Sequence, residues 1–454
     1  MSKDHNNSDI ERYSKLYARR AHEVKSSAMR DLMSITDRPE IISLAGGLPD
    51  TSTFPADVLE SVLVTLSRTL SAEALQYGPT EGNLAIKACV SDVMRAEGMS
   101  IEPDQMIVTT GGQQVIDLVT RTLIDPGDII IAEAPTYPGA VPSFTSFQAN
   151  VIQIDVDADG MRIDQLEATL ARLDAEGKRA KFIYTIPTFQ NPAGVTMSLP
   201  RRKRLVEIAR KRELLVLEDN PYSLLRYEGE PLPTLYSLDG GEYVMYLGTF
   251  SKIISPGLRI GWLVAPSPVL QKVNLGKQAA DLCTSSMTSY LVSTYFAQAN
   301  WRDYVDSVVD IYRARRDVML AALEQYFPPE ASWTRPEGGL FIWVTLPEVI
   351  NTTSLLAKAL SENVAFVPGG AAYTDGRGQA SMRLNFSGVG EDQIKEGVRR
   401  IGKVIGEQLS LLRSMGVDTA AASDTSSSAA EPGEKADVVS LPARRHSNRR
   451  AEEA

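Results

Sequence analysis

The feature that most restricts the fold is a set of short apolar runs recurring between helix-length segments. Met106-Ile107-Val108, Ile129-Ile130-Ile131, Phe182-Ile183-Tyr184, Leu214-Leu215-Val216-Leu217, Val244-Met245-Tyr246-Leu247 and Leu263-Val264-Ala265 are each bounded by Gly, Pro, Asp or Asn. Runs of this length with no polar alternation predict strands covered on both faces, so the chain reads as an α/β protein with a largely parallel sheet between helices. Beyond a long helical region over residues 268–326 the pattern changes. Residues 340–346, 364–367 and 381–386 predict strands and 391–413 an amphipathic helix, which together suggest a smaller α+β domain. Four regions follow: an N-terminal arm over 1–40, a large domain over 41–310, a small domain over 311–415 and a disordered tail over 416–454. The tail lacks aromatic residues after Asp418 and is rich in Ser, Ala and charge, so it cannot bury enough apolar area to offset its ordering entropy.

Residue counts remove several chemistries. The three histidines, His5, His22 and His446, lie near the two ends of the 454 residues, which excludes Ser-His, Cys-His and multi-histidine metal chemistry from the body of the chain. No metal site is expected. Two cysteines, Cys89 and Cys283, supply neither a disulfide framework nor a thiolate cluster and suit a reducing compartment. A net charge of −10 gives nucleic acid and anionic membranes no long-range attraction. The opening residues carry no apolar stretch of the kind a secretory leader needs. The uncharged run over 282–301 holds seven Ser/Thr hydroxyls and reads as a buried helix with polar duties, not a membrane span. The expected location is the cytoplasm.

In an open parallel sheet, ligands collect beyond the carboxyl ends of the strands, so the residues after each run are the informative ones. Gly111-Gly112-Gln113 follows 106–110 and opens a helix; it fits an anion site at a helix start, although Gly-Gly before a helix is more often a plain tight turn. The turn Pro187-Thr188-Phe189-Gln190-Asn191-Pro192-Ala193-Gly194 presents Asn191 to the same crevice, either as a ligand-binding group or as a turn former. Asp219, within Glu218-Asp219-Asn220-Pro221-Tyr222, is an acid at a buried strand end; it calls for a positive partner, which a structural salt bridge would also supply. After 244–247 comes GTFSKIISPGLRIGW, in which Lys252 and Arg259 stand among small and apolar residues. Burial there depresses a lysine pKa and makes the amine nucleophilic, and the guanidinium fork suits phosphate; a surface lysine is the alternative. With Tyr137 and Tyr222 as nearby aromatics, the set matches what pyridoxal phosphate requires: a Schiff-base lysine, an acidic partner for the ring nitrogen and a phosphate cup.

The stretch GTFSKIISPGLRIGW resembles the lysine motif of the class I/II, fold type I pyridoxal-phosphate aminotransferases, and NPAG, EDNPY and TTGGQQ resemble their other cofactor motifs in the same order. The resemblance implies a mostly parallel seven-stranded sheet in the large domain and a ping-pong cycle between aldimine and pyridoxamine forms. It implies that Lys252 carries the cofactor and shuttles a proton, that Asp219 keeps the pyridine nitrogen protonated, and that Tyr222 and Asn191 bond the phenolic oxygen. Tyr137 would stack on the ring, while Gly112, Gln113, Thr249, Ser251 and Arg259 would bind phosphate. Arg383, in SMRLNF, resembles the clamp on the substrate α-carboxylate, and a solvated strand charge is the alternative.

IISLAGGLPDTSTFP followed by LQYGPTEG is similar to the branch containing 2-aminoadipate, kynurenine and broad-specificity aminotransferases. By that resemblance Gly46 and Gly47 line the substrate pocket, and Tyr77 reaches the phosphate of a partner subunit in a homodimer. Arg30 contacts the far end of an acidic substrate unless it is a solvated helix residue. The expected substrates are an amino acid (2-aminoadipate-like, aromatic or branched) and 2-oxoglutarate or another 2-oxo acid. A lyase, decarboxylase or cyclase on the same fold would keep every cofactor residue, because the cofactor supplies the chemistry. A non-catalytic sensor of the kind fused to DNA-binding modules is disfavoured, since the residues before Ala45 leave no room for such a module.

Overall fold

The computed structural model describes residues 13–23 and 38–418. Arg30, most of the expected arm and the tail from residue 419 onward lie outside them. The strands, in chain order, are β1 (Ile42–Ser43), β2 (Met106–Thr109), β3 (Ile129–Ala134), β4 (Asn150–Asp157), β5 (Gly160–Met161), β6 (Ala180–Thr185) and β7 (Leu215–Asp219), followed by β8 (Val244–Thr249), β9 (Gly261–Val264), β10 (Ser332–Trp333), β11 (Phe341–Thr345), β12 (Val364–Ala365), β13 (Val367–Pro368) and β14 (Ser381–Asn385). One sheet has the order β2-β9-β8-β7-β6-β3-β4-β5. From β8 to β4 its neighbours are parallel, whereas β9 runs antiparallel to both β8 and β2. Every residue of β2, β3, β8 and β9 is buried, as the uninterrupted apolar runs require of strands covered on both faces.

The six apolar runs all form strands of this sheet. The seventh long strand, β4, escapes that reading because NVIQIDVD alternates apolar and polar residues, and all but one of its residues keep some exposure. The two-residue β5 pairs with it and extends the sheet to eight strands.

A second, antiparallel sheet has the order β10-β11-β14-β13, and β1 pairs in parallel with β12. The helix Glu391–Ser414 buries one apolar stripe through Ile394, Val398, Ile401, Ile405 and Leu409, the spacing of a single helix face. The uncharged stretch over 282–301 forms the helix Ser286–Gln298, which is buried on one side only, through Ser289, Val292, Thr294 and Tyr295. Leu282 and Met287 remain 49% and 42% exposed. Lack of charge does not require burial here, because Ser289 and Ser293 donate to carbonyls of their own turn. Among the described residues no helix is long and apolar enough to cross a membrane.

The β2–β9 pairing brings two backbones into close approach beside the helix Gly112–Leu123. A Cβ on Gly261 would lie 2.6 Å from the Gly111 carbonyl carbon and 2.7 Å from the Gly112 nitrogen, both main-chain atoms that cannot swing away. Gly261→Ala is therefore expected to destabilise the chain by about 1–3 kcal/mol in denaturant unfolding, and a neutral result would show that the pair can separate at no cost.

Candidate active site

The parallel strands all deliver their carboxyl ends to one side of the sheet, and a cavity of about 310 Å³ opens there. Asp219 ends β7, Asn191 and Tyr222 come from the turns after β6 and β7, and Tyr137 follows β3. Thr249, Ser251 and Lys252 follow β8. Because β9 runs the other way, Arg259 reaches the same side from just before its start. Gly112 and Gln113 open the helix Gly112–Leu123, and Gly47 and Arg383 close the cavity from the opposite wall. Gly46 is not among the lining residues, and Tyr77 stands outside, 77% exposed.

Lys252 is half-buried, and its Nζ donates to the Gly47 carbonyl at 2.7 Å. Burial, with Arg383 and Arg259 adding repulsion and Asp219 opposing them, lowers its pKa to about 8. Asp219 is 5% exposed and moves the other way, to about 7, chiefly through burial. The alternative reading, a structural salt bridge, is not what holds it: the recorded hydrogen bond comes from the Tyr184 hydroxyl at 2.6 Å, with Lys252 acting only through space.

Asn191 ties two neighbours together, its Nδ2 donating to the Tyr222 hydroxyl at 3.2 Å and its Oδ1 accepting from Arg383 Nη1 at 3.1 Å. Arg383 is buried; its Nη2 donates to the Ala45 carbonyl at 2.9 Å, and its guanidinium lies 4.3 Å from the centre of the Phe341 ring. That settles its position against a solvated strand charge.

The helix Gly112–Leu123 begins at Gly111 with no side-chain cap, which leaves main-chain N–H groups facing the cavity side. Gly111 has φ +82°, and a Cβ there would lie 2.5 Å from Arg259 Nη2, so glycine leaves the space the guanidinium fills. The Thr249 hydroxyl donates to Ser251 Oγ at 2.9 Å and accepts from the Ser251 N–H at 3.1 Å. Helix start, two hydroxyls and one guanidinium form a donor-rich concavity suited to a phosphate. Gln113 contributes to it by its backbone only, since its side chain donates to the Gly139 carbonyl and Ser143. Among the described residues no group of three His, Cys, Asp or Glu side chains is placed to hold a metal ion.

Three contributors went unnamed in the sequence reading: Phe341 beneath Arg383, Tyr184 behind Asp219, and Glu133. The buried Glu133 carboxyl accepts from Thr185 Oγ1, the Ile186 N–H and Gln190 Nε2, and so fixes the turn that carries Asn191. Tyr184 and Glu133 lie within apolar strands, where a polar residue at or next to the carboxyl end was the available signal.

A half-buried amine and a buried carboxyl beside an anion cup, at the carboxyl edge of a mostly parallel sheet, define a cofactor-using α/β enzyme. The model of the family "Aminotransferase class I and II" matches residues 39–401, and the chain belongs to that family and is an aminotransferase. It is 42% identical over 398 residues to the aromatic-amino-acid aminotransferase 1 of Thermococcus litoralis, covering 87% of this chain and 95% of the relative. It is 37% identical to the 2-aminoadipate transaminase of Thermus thermophilus, covering 88% of this chain and 99% of that protein. The crystal structure of Pyrococcus horikoshii kynurenine aminotransferase in complex with PMP superposes with a TM-score of 0.84 at 41% identity, covering 88% and 98% of the two chains.

The lowered pKa of Lys252 has a measurable consequence. In cofactor-free protein, acylation of this amine should pass half its maximum near pH 8 and level off before the ordinary lysine value of 10.5. Peptide-resolved mass spectrometry reads the profile, and a rate still climbing at the ordinary value contradicts it.

Proposed function

We propose that the cavity binds pyridoxal 5′-phosphate and moves an amino group between an L-amino acid and a 2-oxo acid. The observation that carries the reading is the pairing, in one cavity, of a lysine shifted to about 8 with a carboxyl shifted to about 7, beside an uncapped helix start. Donor chemistry and space both fit the cofactor. Lys252 would hold it covalently and Asp219 would meet the ring nitrogen. Tyr222 and Asn191 would bond the phenolic oxygen, Tyr137 would cover a ring face, and Gly112, Gln113, Thr249, Ser251 and Arg259 would bind the phosphate. When bound, pyridoxal phosphate supplies a carbonyl carbon for the amino group and a ring that takes up the electron pair left by the α-proton.

The chain's own groups do the rest. Arg383 presents its fork to the substrate α-carboxylate, and its contacts to Asn191 and Ala45 fix its direction before substrate arrives. With its pKa lowered to about 8, a large share of Lys252 Nζ is neutral near that pH, so it can take the substrate's α-proton and return it. Asp219 holds the ring-nitrogen proton.

The acceptor is read as 2-oxoglutarate or another 2-oxo acid, and the donor as 2-aminoadipate-like, aromatic or branched. Phe341 and Leu48 in the cavity wall favour an apolar substrate side chain. A homodimer in the cytoplasm is part of the proposal. The helices Ala56–Thr69 and Ser286–Gln298 pack together and carry exposed Leu59, Leu63 and Met287, with Leu75, Tyr77 and Leu84 exposed nearby in sequence. Tyr77 would then serve the partner's phosphate cup, and the free thiols Cys89 and Cys283 accord with a reducing compartment. The large and small sheets would mark two domains meeting near residue 310.

Lys252→Ala should abolish the absorption of lysine-bound cofactor and essentially all turnover, and borohydride trapping should map the cofactor to Lys252. Asp219→Asn should lower kcat by several kcal/mol of transition-state stabilisation, on the order of a lost electrostatic contact. In half-reactions an amino donor should convert the cofactor and a 2-oxo acid restore it, whereas release of ammonia would indicate an eliminase. Trapping at another lysine contradicts the assignment.

Arg30 is proposed to favour substrates with a distal carboxylate. Arg30→Ala should lower kcat/KM for glutamate or 2-aminoadipate by roughly tenfold, ~1.4 kcal/mol, and leave leucine or phenylalanine unchanged. An equal change on both classes removes the assignment.

A further inference from the structure

The Asp219 carboxylate is held from behind. Its Oδ2 accepts the Tyr184 hydroxyl at 2.6 Å, and among the described residues no other group donates to it. Tyr184 stands one residue before the end of β6 and is fully buried, so the bond is made inside the sheet layer. Its ring is fixed edge-on by Phe144, with centroids 5.5 Å apart and planes at 73°. The third member of the cluster, Glu133, is a second buried carboxyl whose charge disfavours ionisation of Asp219.

We infer that Tyr184 is a positioning residue for the cofactor's ring nitrogen: it takes one oxygen of Asp219 and leaves the other directed to the cavity. The inference rests on the reading that Asp219 meets that nitrogen. A carboxylate at the end of a buried strand can rotate about χ2, and either oxygen could turn toward the strand layer, where no other donor awaits it. A phenol bond made through Oδ2 alone removes that freedom and exposes Oδ1 as the acceptor. The same bond stabilises the ionised carboxylate against burial and against Glu133. Burial and the neighbouring carboxylate push the Tyr184 phenol well above its ordinary value, so it remains a donor throughout the working range.

Tyr184→Phe deletes the hydroxyl and keeps the ring, and the readout is cofactor binding to cofactor-free protein. Two ligands are compared, pyridoxal 5′-phosphate and its analogue with C–H in place of the ring nitrogen, to which Asp219 cannot bond. Wild type should prefer the natural cofactor, and Tyr184→Phe should shrink the ratio of the two dissociation constants by roughly tenfold, the effect of a lost charge-assisted hydrogen bond. The low-pH limb of natural-cofactor binding should also move to higher pH, because without the donor Asp219 takes up a proton more readily. An unchanged ratio, whether both ligands weaken equally or neither does, overturns the inference and makes Tyr184 a packing residue.

Asp219→Asn separates this outcome from failure of the underlying reading. If that variant keeps the wild-type ratio of the two dissociation constants, Asp219 does not meet the ring nitrogen. If it shrinks the ratio while Tyr184→Phe leaves it unchanged, only the role of Tyr184 fails. Should Tyr184→Phe not fold, 3-fluorotyrosine placed at position 184 keeps ring and donor but donates more strongly. The low-pH limb should then move downward, and an unmoved limb overturns the inference.

Discussion

Asp219 is the constraint around which the cavity is organised. A carboxylate removed from water loses hydration worth several kcal/mol even after relaxation, and the strand layer around β7 returns little of it. The neighbouring strands provide what compensation there is: a hydroxyl from β6 on one side and, beyond β8, the amine of Lys252 acting through space. An acid placed this way stays poised between its two protonation states until a cationic partner enters the cavity. Its energetic debt in the empty protein is thus a source of binding energy for a protonated heterocycle.

The two directions of shift show which force dominates. An ion pair between Asp219 and Lys252 would push the acid down and the amine up. Instead the acid rises to about 7 and the amine falls to about 8, so desolvation outweighs their attraction. The hydrogen bonds agree, since Lys252 donates to the Gly47 carbonyl and Asp219 accepts from Tyr184, leaving the two charges unpaired with each other. Arg383 adds to the pressure on Lys252 while being itself lowered to about 10 by burial. Each group sits closer to neutrality than it would in water, which suits a site that must exchange protons and admit anionic ligands in turn.

How far the chain disclosed this depended on whether a residue's surroundings could be read from its neighbours. The six uninterrupted apolar runs marked six strands, and the residues just after them led to Asn191, Asp219, Lys252 and Arg259, because one rule about carboxyl ends applied to all. β4 was hidden by its polar alternation, a consequence of lying toward the sheet edge. Tyr184 and Glu133 were hidden for the opposite reason. Inside apolar strands they read as core, and only the register of β6 against β7 and of β3 against β6 makes them neighbours of Asp219 and Asn191. Gln113 shows a further limit, since a helix-start position does not reveal that its side chain turns away to Gly139. Partners separated by fifty residues in sequence are set by topology, and composition along one strand carries no record of them.

The reversed strand β9 explains why one short segment can supply both an amine and an anion-binding guanidinium. Residues 250–260 connect β8 to an adjacent antiparallel strand, so the chain leaves and re-enters the sheet at the same edge. Lys252 therefore stands just after one strand and Arg259 just before the next, and both face the same cavity. A parallel successor would require a crossover of a dozen residues or more and would bring the chain back in at the far edge. The turn has its own local cost. Arg259 adopts φ +53°, in the left-handed region that side chains other than Gly, Asn and Asp rarely occupy, and its guanidinium lies against Gly111, which carries no Cβ. A strained arginine facing a glycine whose own φ is positive joins the end of β8 to the start of the helix Gly112–Leu123, and this juxtaposition exists only because β9 separates β8 from β2 and runs against both.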